Sequence, residues 1–286
     1  PAATQTRPAA AVPGRPYKYE DGPLSVEVVE TLRIRDAQRN KSLACKVFYP
    51  RTTGEAPVII FSHGAGGSKQ GYGALGRYWA SHGYAVIHPT HADSIELVAQ
   101  KTAAAKLQEA VRAALTDEAA WKDRALDISL ILDHLEGLGN SLPGFAGRLD
   151  ASRVGVGGHS FGAFTTQVVG GARIRLGSGA EVSYADRRPK AFLMFSGQGT
   201  GQMGLVADSW RDFTRPMMDV TGSRDFGAKN QGPDWRKEPF THSLPGGKYF
   251  VFIENANHFS FTGRLAHERI VGEVDDQDPR TDPRFV

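Results

Sequence analysis

Short apolar runs alternate with segments of helical pattern along most of this chain. Eight of these runs are rich in β-branched or aromatic residues and are bounded by glycine, proline or polar residues, which predicts strands. They cover residues 26–34, 44–49, 58–61, 85–88, 154–157, 191–195, 217–221 and 249–253. The alternation is typical of an α/β protein with a mostly parallel sheet covered by helices on both faces.

Helices are predicted in five intervals between the strands, at residues 72–82, 95–115, 121–138, 161–170 and 209–213. The third carries its apolar residues on one stripe, as expected for a helix that packs on a sheet. The alanine-rich interval 95–115 is predicted to form either a surface helix or a mobile flap over a binding site. The first two strands are adjacent and alternating, which favours an antiparallel edge, whereas crossovers favour parallel pairing of the later ones.

Composition narrows the class of protein. An apolar content of 40% in 286 residues suffices for one large core, so we expect a single domain over residues 23–286 after an Ala/Pro-rich tail at 1–22. The net charge is only +3 and the basic residues are scattered, so nucleic acid is not an expected partner. No membrane span is expected, because no apolar stretch approaches about 20 residues. The chain begins at proline, which suggests a removed leader and export, with a cytoplasmic protein as the alternative.

The most informative motif is Gly158-His-Ser160-Phe-Gly162, between a predicted strand and a predicted helix. This order is expected of a nucleophile elbow, a sharp turn that exposes a serine hydroxyl. The turn brings the two flanking residues together, so both positions favour glycine. We therefore predict Ser160 as a nucleophile, with an idle serine in a glycine-rich turn as the alternative.

A nucleophilic serine needs a base, and the base needs an acid that orients it. Asp225 follows the strand at 217–221 and His258 follows the strand at 249–253, which gives the chain order Ser160, Asp225, His258. That is the order expected in α/β-hydrolases. The competing acids are Asp208, Asp212 and Asp219, and the competing bases are His63, His88, His91 and His159.

The glycine-rich loop at residues 63–67 is the second part of the predicted site. An oxyanion hole needs two backbone N–H donors, usually from this loop and from the residue after the nucleophile, which predicts Ala65 and Phe161. An alternative at the end of the fourth strand is a divalent metal site made by His88, His91 and Asp93. Because a serine hydrolase needs neither metal nor cofactor, none is expected.

Together these motifs resemble the α/β-hydrolase superfamily. The resemblance is carried by Phe61-Ser-His-Gly-Ala-Gly-Gly, Trp79-Ala-Ser-His-Gly-Tyr, Gly158-His-Ser-Phe-Gly162, Gly222-Ser-Arg-Asp225 and Asn257-His258. Within the superfamily the chain is most similar to the serine esterase branch that holds platelet-activating-factor acetylhydrolases, chlorophyllases, dienelactone-hydrolase-like and cutinase-like proteins. The resemblance covers residues 25–265 and implies an α/β-hydrolase fold with an eight-stranded sheet.

The activity that the resemblance implies is hydrolysis of carboxylic esters through Ser160, His258 and Asp225, with the amides of Ala65 and Phe161 binding the oxyanion. True dienelactone hydrolases have a cysteine nucleophile, and polyesterases often have methionine after the serine, where this chain has Phe161. The alternatives are a polyester hydrolase, an acyltransferase or a non-catalytic binding protein.

The interval 196–215 is too short for a large helical cap, so we expect an open cleft for a small or polymeric ester substrate. Its candidate wall residues are Gln70, Tyr72, Gln198, Met203, Phe226 and Phe259. The natural substrate and the oligomeric state are not predicted.

Overall fold

The computed structural model describes residues 20–262, so most of the predicted tail, at residues 1–19, and the last part of the predicted domain, at 263–286, lie outside the described residues. Its ten strands in chain order are β1 (Val26–Asp36), β2 (Lys41–Pro50), β3 (Ala56–Ser62), β4 (Ala85–Thr90), β5 (Leu149–His159), β6 (Ile174–Arg175), β7 (Glu181–Val182), β8 (Ala191–Phe195), β9 (Met217–Arg224) and β10 (Lys248–Asn257). Eight of them form one sheet in the order β1-β2-β4-β3-β5-β8-β9-β10, and β6 pairs with β7 in a small hairpin.

The sheet confirms the eight predicted strands and their predicted pairing. β1 pairs antiparallel with β2, and β2 pairs antiparallel with β4. Every other pair in the large sheet is parallel. The central strands are covered on both faces, and Ile60, Ile87 and Val156 are almost fully buried there. Such continuous apolar strands are typical of parallel sheets between helix layers.

The helices of the structure are α1 (Gly73–Ser81), α2 (Ile95–Val98), α3 (Leu107–Ala113), α4 (Glu118–Asp133), α5 (Leu135–Asn140), α6 (Phe161–Gly170), α7 (Pro233–Arg236) and α8 (Glu238–His242), with a 3-10 turn at Ala104–Lys106. The helices predicted at 72–82 and 161–170 are confirmed. The one predicted at 121–138 is divided at His134 between α4 and α5. The two short helices α7 and α8 were not predicted, because each begins with a proline-containing turn in a polar segment.

Two helix predictions are wrong. The interval 95–115 is broken into α2, the 3-10 turn and α3, and Val111 is its only buried residue. A long helix needs an apolar face packed on the protein, which this interval lacks. Residues 209–213 form a turn instead of a helix, and the Ser209 hydroxyl accepts a hydrogen bond from the Val206 N–H at 2.9 Å. Such local side-chain hydrogen bonds compete with helix formation.

The segment between β8 and β9, residues 196–216, forms turns without a helix or strand. Among residues 20–262 there is accordingly no large cap over the carboxyl edge of the sheet, as predicted. In the same range, none of the helices has the length and apolar character that crossing a membrane requires.

One polar side chain in β4, His88, lies deep in the core. It is 2% exposed and packs against the rings of Phe48 and Phe61 at 5.2 and 5.9 Å between centroids. Its Nδ1–H donates to the Gly71 carbonyl at 3.1 Å. Burial lowers the pKa of His88 from 6.5 to about 4, so the imidazole is neutral in the folded protein near neutral pH.

We expect His88 to make the protein less stable in mild acid. Below pH 6.5 the unfolded chain binds a proton at this position while the folded chain does not, so the free energy of unfolding falls as the pH falls toward about 4. His88→Asn keeps an amide donor for Gly71 and removes the titration. Urea denaturation at two pH values, 7.5 and 5, should therefore show a loss that is about 2 kcal/mol smaller in the variant. Equal losses in both proteins would show that His88 is not a buried neutral imidazole.

Candidate active site

Ser160 lies in the tight turn between β5 and α6. Its φ and ψ are 54° and −117°, a backbone conformation that non-glycine residues rarely adopt. A Cβ on Gly158 would lie 2.4 Å from the Gly162 carbonyl carbon, and a Cβ on Gly162 would lie 2.0 Å from the Ser62 carbonyl oxygen. Both glycines are therefore required by close backbone contact, and the predicted order of strand, turn and helix is present.

The structure brings Ser160, His258 and Asp225 together in one hydrogen-bonded chain. The Ser160 Oγ lies 2.9 Å from His258 Nε2, and His258 Nδ1 lies 3.0 Å from Asp225 Oδ1. Asp225 follows β9 and His258 follows β10, which are neighbouring parallel strands. Side chains from three separate strand ends meet at the carboxyl edge of the sheet, where open α/β sheets bind their ligands.

Asp225 is held as a carboxylate that orients the imidazole. It is fully buried, and Thr221 Oγ1 donates to its Oδ2 at 2.8 Å. Burial opposes ionisation, but the hydrogen bond and charge of His258 and the charge of Arg236 outweigh it, so the pKa of Asp225 lies well below its usual value. An ionised Asp225 keeps a proton on Nδ1 of His258, which leaves the Nε2 lone pair directed at the serine hydroxyl.

Arg236 is a part of this site that sequence reasoning missed. It is 3% exposed, and its Nε lies 3.0 Å from Asp225 Oδ1. Its Nη1 donates to the carbonyls of Ser196 at 2.8 Å and Gly197 at 3.1 Å, and its Nη2 donates to that of Phe226 at 3.0 Å. Arg236 thus joins the loop after β8 to the loop after β9. No sequence signal pointed to it, because α7 has only four residues and shows no apolar stripe.

The competing acids do not reach His258 in the described structure. Asp219 points into the core from β9, and burial raises its pKa well above the usual value, which favours a neutral carboxyl group. Asp208 and Asp212 are exposed and pair with Arg211 at 3.3 Å and Arg173 at 2.5 Å. Asp225 is therefore the carboxylate that contacts the imidazole.

His159, one of the competing bases, links the loops around the site. The His258 carbonyl can only accept, so His159 Nε2 donates to it at 2.8 Å and Nδ1 accepts from the Tyr72 hydroxyl at 2.8 Å. The Gly64 N–H in turn donates to the Tyr72 oxygen at 3.3 Å. Burial lowers the pKa of His159 to about 3, which keeps the ring neutral. His159 and Tyr72 therefore connect the glycine-rich loop to the loop that carries His258.

His91 belongs to a second chain of serine, histidine and aspartate. Its Nε2 lies 3.0 Å from Ser62 Oγ and its Nδ1 lies 2.9 Å from Asp127 Oδ2. All three residues are fully buried, so a substrate has no access to this serine. Burial lowers the pKa of His91. These three hydrogen-bonded side chains therefore serve as packing beneath the end of β3.

The metal alternative does not fit the side chains that would form it. His88 is bonded to the Gly71 carbonyl, His91 to Ser62 and Asp127, and Asp93 to Arg124 at 2.8 Å. Among residues 20–262 there is no group of three or more His, Cys, Asp or Glu side chains arranged to hold a metal ion.

The two predicted oxyanion donors lie next to Ser160. A Cβ on Gly64 would be 3.4 Å from Ser160 Cβ, which places the loop at 63–67 directly beside the serine. Within the described part of the chain, neither the Ala65 N–H nor the Phe161 N–H has a hydrogen-bond acceptor. The side chain of Phe161 is fully buried, so it does not line the open cleft.

The six candidate wall residues differ in exposure, with Gln70 exposed and Tyr72 half-buried. Phe226, which directly follows Asp225, is 50% exposed, and Phe259, which directly follows His258, is 41% exposed. The Phe259 ring also meets the His258 ring edge to face, 5.5 Å between centroids. Gln198 and Met203 are buried, so the prediction that they line an open wall is wrong.

Comparisons with known proteins agree with this architecture. A family model for platelet-activating factor acetylhydrolase, isoform II, matches residues 28–126. The chain is 27% identical over 218 residues to cutinase est1 of Thermobifida alba, a match that covers 75% of this chain and 57% of the cutinase. The chain thus spans little more than half the length of that relative.

A solved structure from Klebsiella pneumoniae subsp. pneumoniae, assigned as a dienelactone hydrolase, superposes with a TM-score of 0.58 at 15% identity, covering 82% of this chain and 89% of that chain. The chain therefore has the predicted α/β-hydrolase fold. The predicted resemblance to the serine esterase branch is confirmed by the family model and by the similarity to the cutinase.

The backbone contact at Gly162 can be tested against a second helical glycine. Gly162→Ala forces a methyl group against the Ser62 carbonyl oxygen, whereas Gly137→Ala in α5 adds a methyl group with no atom within 4 Å. In urea denaturation we expect Gly162→Ala to lose about 3 kcal/mol of unfolding free energy and Gly137→Ala to gain about 0.5–1 kcal/mol. Equal effects at the two positions would rule out the close contact.

Proposed function

We propose that this protein is a serine carboxylester hydrolase with Ser160 as nucleophile, His258 as general base and Asp225 as the acid that orients it. The observation that carries the proposal is the hydrogen-bonded chain from Ser160 Oγ through the His258 ring to Asp225. The match to an acetylhydrolase family and the similarity to a cutinase support ester hydrolysis as the reaction. The turn at Ser160 acts as a nucleophile elbow in this proposal.

In the acylation step, His258 Nε2 takes the proton of the Ser160 hydroxyl as Oγ bonds to the ester carbonyl carbon. The π electron pair moves to the carbonyl oxygen, which becomes an oxyanion. The N–H groups of Ala65 and Phe161 donate to this oxygen, and no side-chain movement is needed because both belong to ordered backbone. When the tetrahedral intermediate collapses, the bond to the alcohol oxygen breaks and that oxygen takes the proton from His258.

In the deacylation step, His258 Nε2 takes a proton from water, and the water oxygen bonds to the acyl carbon. The same two N–H groups bind the second oxyanion. The bond to Ser160 Oγ then breaks, Oγ recovers the proton from His258, and the carboxylic acid leaves. Throughout both steps Asp225 stays ionised, because its pKa lies well below the usual range.

The shape of the site favours short acyl groups or bulky esters. The described residues place no cap over it, and Phe226 and Phe259 present exposed aromatic rings beside the acid and the base. A polyester is the second candidate substrate, because the similarity to a cutinase and the two exposed rings are compatible with a large apolar chain.

We also propose, from the sequence, that residues 23–286 form a single domain and that the protein is exported.

Ser160→Ala should abolish hydrolysis of p-nitrophenyl acetate. Loss of the nucleophile lowers kcat on the order of a million-fold, while the fold and the melting temperature should stay close to those of the native protein. The native protein should also be labelled at Ser160 by a fluorophosphonate probe, as peptide mapping would show. Ser178→Ala, at an exposed turn, is the matched control and should keep full activity.

The same assay separates the rival functions. Retained turnover in Ser160→Ala would contradict the proposal, and a native protein that the probe does not label would favour a binding protein. A product in which the acyl group is transferred to an added alcohol, formed faster than free acid, would favour an acyltransferase.

Asp225→Asn should lower kcat on the order of 10⁴-fold, because a neutral amide no longer favours the His258 tautomer that carries its proton on Nδ1. The variant keeps the volume of the side chain, so its free energy of unfolding serves to separate chemistry from folding. Asp212→Asn is the control, since that carboxylate is exposed and pairs with Arg173. A small loss of kcat in Asp225→Asn together with a large loss in Asp212→Asn would show that Asp225 is not the acid that orients His258.

A further inference from the structure

A buried arginine lies beneath the glycine-rich loop. Arg124, in α4, is 1% exposed, and its Nε and Nη2 lie 2.8 and 2.9 Å from the two carboxylate oxygens of Asp93. Its Nη1 donates to the His63 carbonyl at 2.9 Å, and its Nη2 lies 3.4 Å from the Gly64 carbonyl. The hydrolysis mechanism has no proton transfer that uses either charged group, so the pair needs another explanation.

We propose that Arg124 and Asp93 are positioning residues that hold the Ala65 N–H toward the oxyanion. The proposal rests on the proposed esterase function and adds two residues to it. Neither side chain touches the substrate; both act through the backbone of the loop at 63–67.

The peptide group between Gly64 and Ala65 links Arg124 to the Ala65 N–H. In a trans peptide the C=O and the N–H point in opposite directions, so the orientation of the Gly64 carbonyl sets that of the Ala65 N–H. The Gly64 oxygen accepts from His63 Nδ1 at 2.6 Å and from the Gly67 N–H at 3.1 Å, and Arg124 Nη2 lies 3.4 Å from it. His63 and Arg124 are both buried, so the oxygen faces the interior. The proton on Nδ1 is assigned because His63 Nε2 accepts from the His91 N–H at 3.0 Å. With its oxygen held inward, the peptide directs the Ala65 N–H away from the interior.

Asp93 holds the other side of the same loop. Its Oδ2 accepts from the Gly66 N–H at 3.2 Å, and Gly66 has a φ of +73°. The ion pair thus fixes the peptide groups before and after Ala65. A loop with several glycines has many accessible conformations when it is free, so these contacts restrict it to the one that presents the donor.

Arg124 also contacts the residue that bears the second donor. Its guanidinium lies over the Phe161 ring, 4.1 Å from Cζ to the centroid, and the ring is fully buried. A guanidinium over an aromatic face is an attractive contact in a dry environment. One side chain therefore fixes the loop of Ala65 relative to the start of α6, where Phe161 lies. Donors that are already in place before the charge develops stabilise the transition state without reorganisation.

Arg124→Lys is the variant that tests this role. A lysine keeps a positive charge for Asp93, which avoids an unpaired buried carboxylate, but a single ammonium cannot reach Asp93 and both carbonyls in the same geometry. Arg215→Lys is the matched control, because Arg215 also donates to backbone carbonyls and stacks on a phenylalanine, Phe192, at 4.7 Å. Arg215 precedes β9 and so lies at the opposite edge of the sheet from Ser160.

The concentration of active sites in each protein is first determined by titration. Two measurements then distinguish a positioning role from a merely structural role. The first is the separation of kcat and KM on p-nitrophenyl acetate. The second is the inhibition constant of an alkyl trifluoromethyl ketone. Ser160 Oγ adds to its carbonyl carbon, the serine proton moves to His258, and the carbonyl π pair becomes an oxyanion in the hole.

For Arg124→Lys we expect kcat per active site to fall by about 10- to 100-fold with KM changed less than about threefold, and the inhibition constant to rise by the same factor as kcat/KM falls. Asp93→Asn should change the same quantities in the same direction by a smaller factor, and it replaces Arg124→Lys in the test if that protein does not fold. Arg215→Lys should leave kcat and the inhibition constant unchanged.

A variant that loses active sites but keeps the native kcat and inhibition constant per site would overturn the inference, as would an equal loss in Arg215→Lys. If the native protein hydrolyses the ester and Arg124→Lys does too at the native rate, the inference alone fails. If the native protein neither hydrolyses the ester nor reacts with the ketone, the proposed function fails and the inference fails with it.

Discussion

The close contact between the turn at Ser160 and the end of β3 is the constraint on which the candidate site depends. Gly162 lies so near the Ser62 carbonyl that no side chain fits between them. This contact places the serine beside the glycine-rich loop that continues from β3, since Gly64 lies next to Ser160. Ser160 and this loop are neighbours because two parallel strands, β3 and β5, end at the same edge of the sheet.

Two buried arginines stabilise the loops that leave this edge. Arg236 joins the loops after β8 and β9 and supports Asp225, whereas Arg124 joins the loop after β3 to the start of α6 and pairs with Asp93. Each guanidinium has a carboxylate partner and several carbonyl acceptors, which is what a buried charge requires. The loops that carry the proposed catalytic groups are thus held by charge and hydrogen bonding.

Neutral histidines form the other part of this polar framework. His159 connects the glycine-rich loop, the turn at Ser160 and the loop of His258, and burial keeps its pKa far below 6.5. His63 and His91 lie in the same state beneath the glycine-rich loop. A histidine can accept on one nitrogen and donate on the other, so a neutral ring joins two segments that would otherwise leave buried polar groups unsatisfied.

The amino-acid sequence by itself determined the positions of the eight strands of the large sheet and the chain order of the proposed triad, Ser160, Asp225 and His258. Short apolar runs, glycine spacing and strand-end positions are local signals. The sequence also contains a signal for the burial of Arg124. This residue falls four residues before Ile128, on the apolar stripe of its helix, where a charge implies a buried partner. The break in 95–115 and the role of Arg236 were decided by tertiary structure alone. In each case the outcome depends on which distant surface or carboxylate the segment meets, and no pattern within the segment encodes that partner.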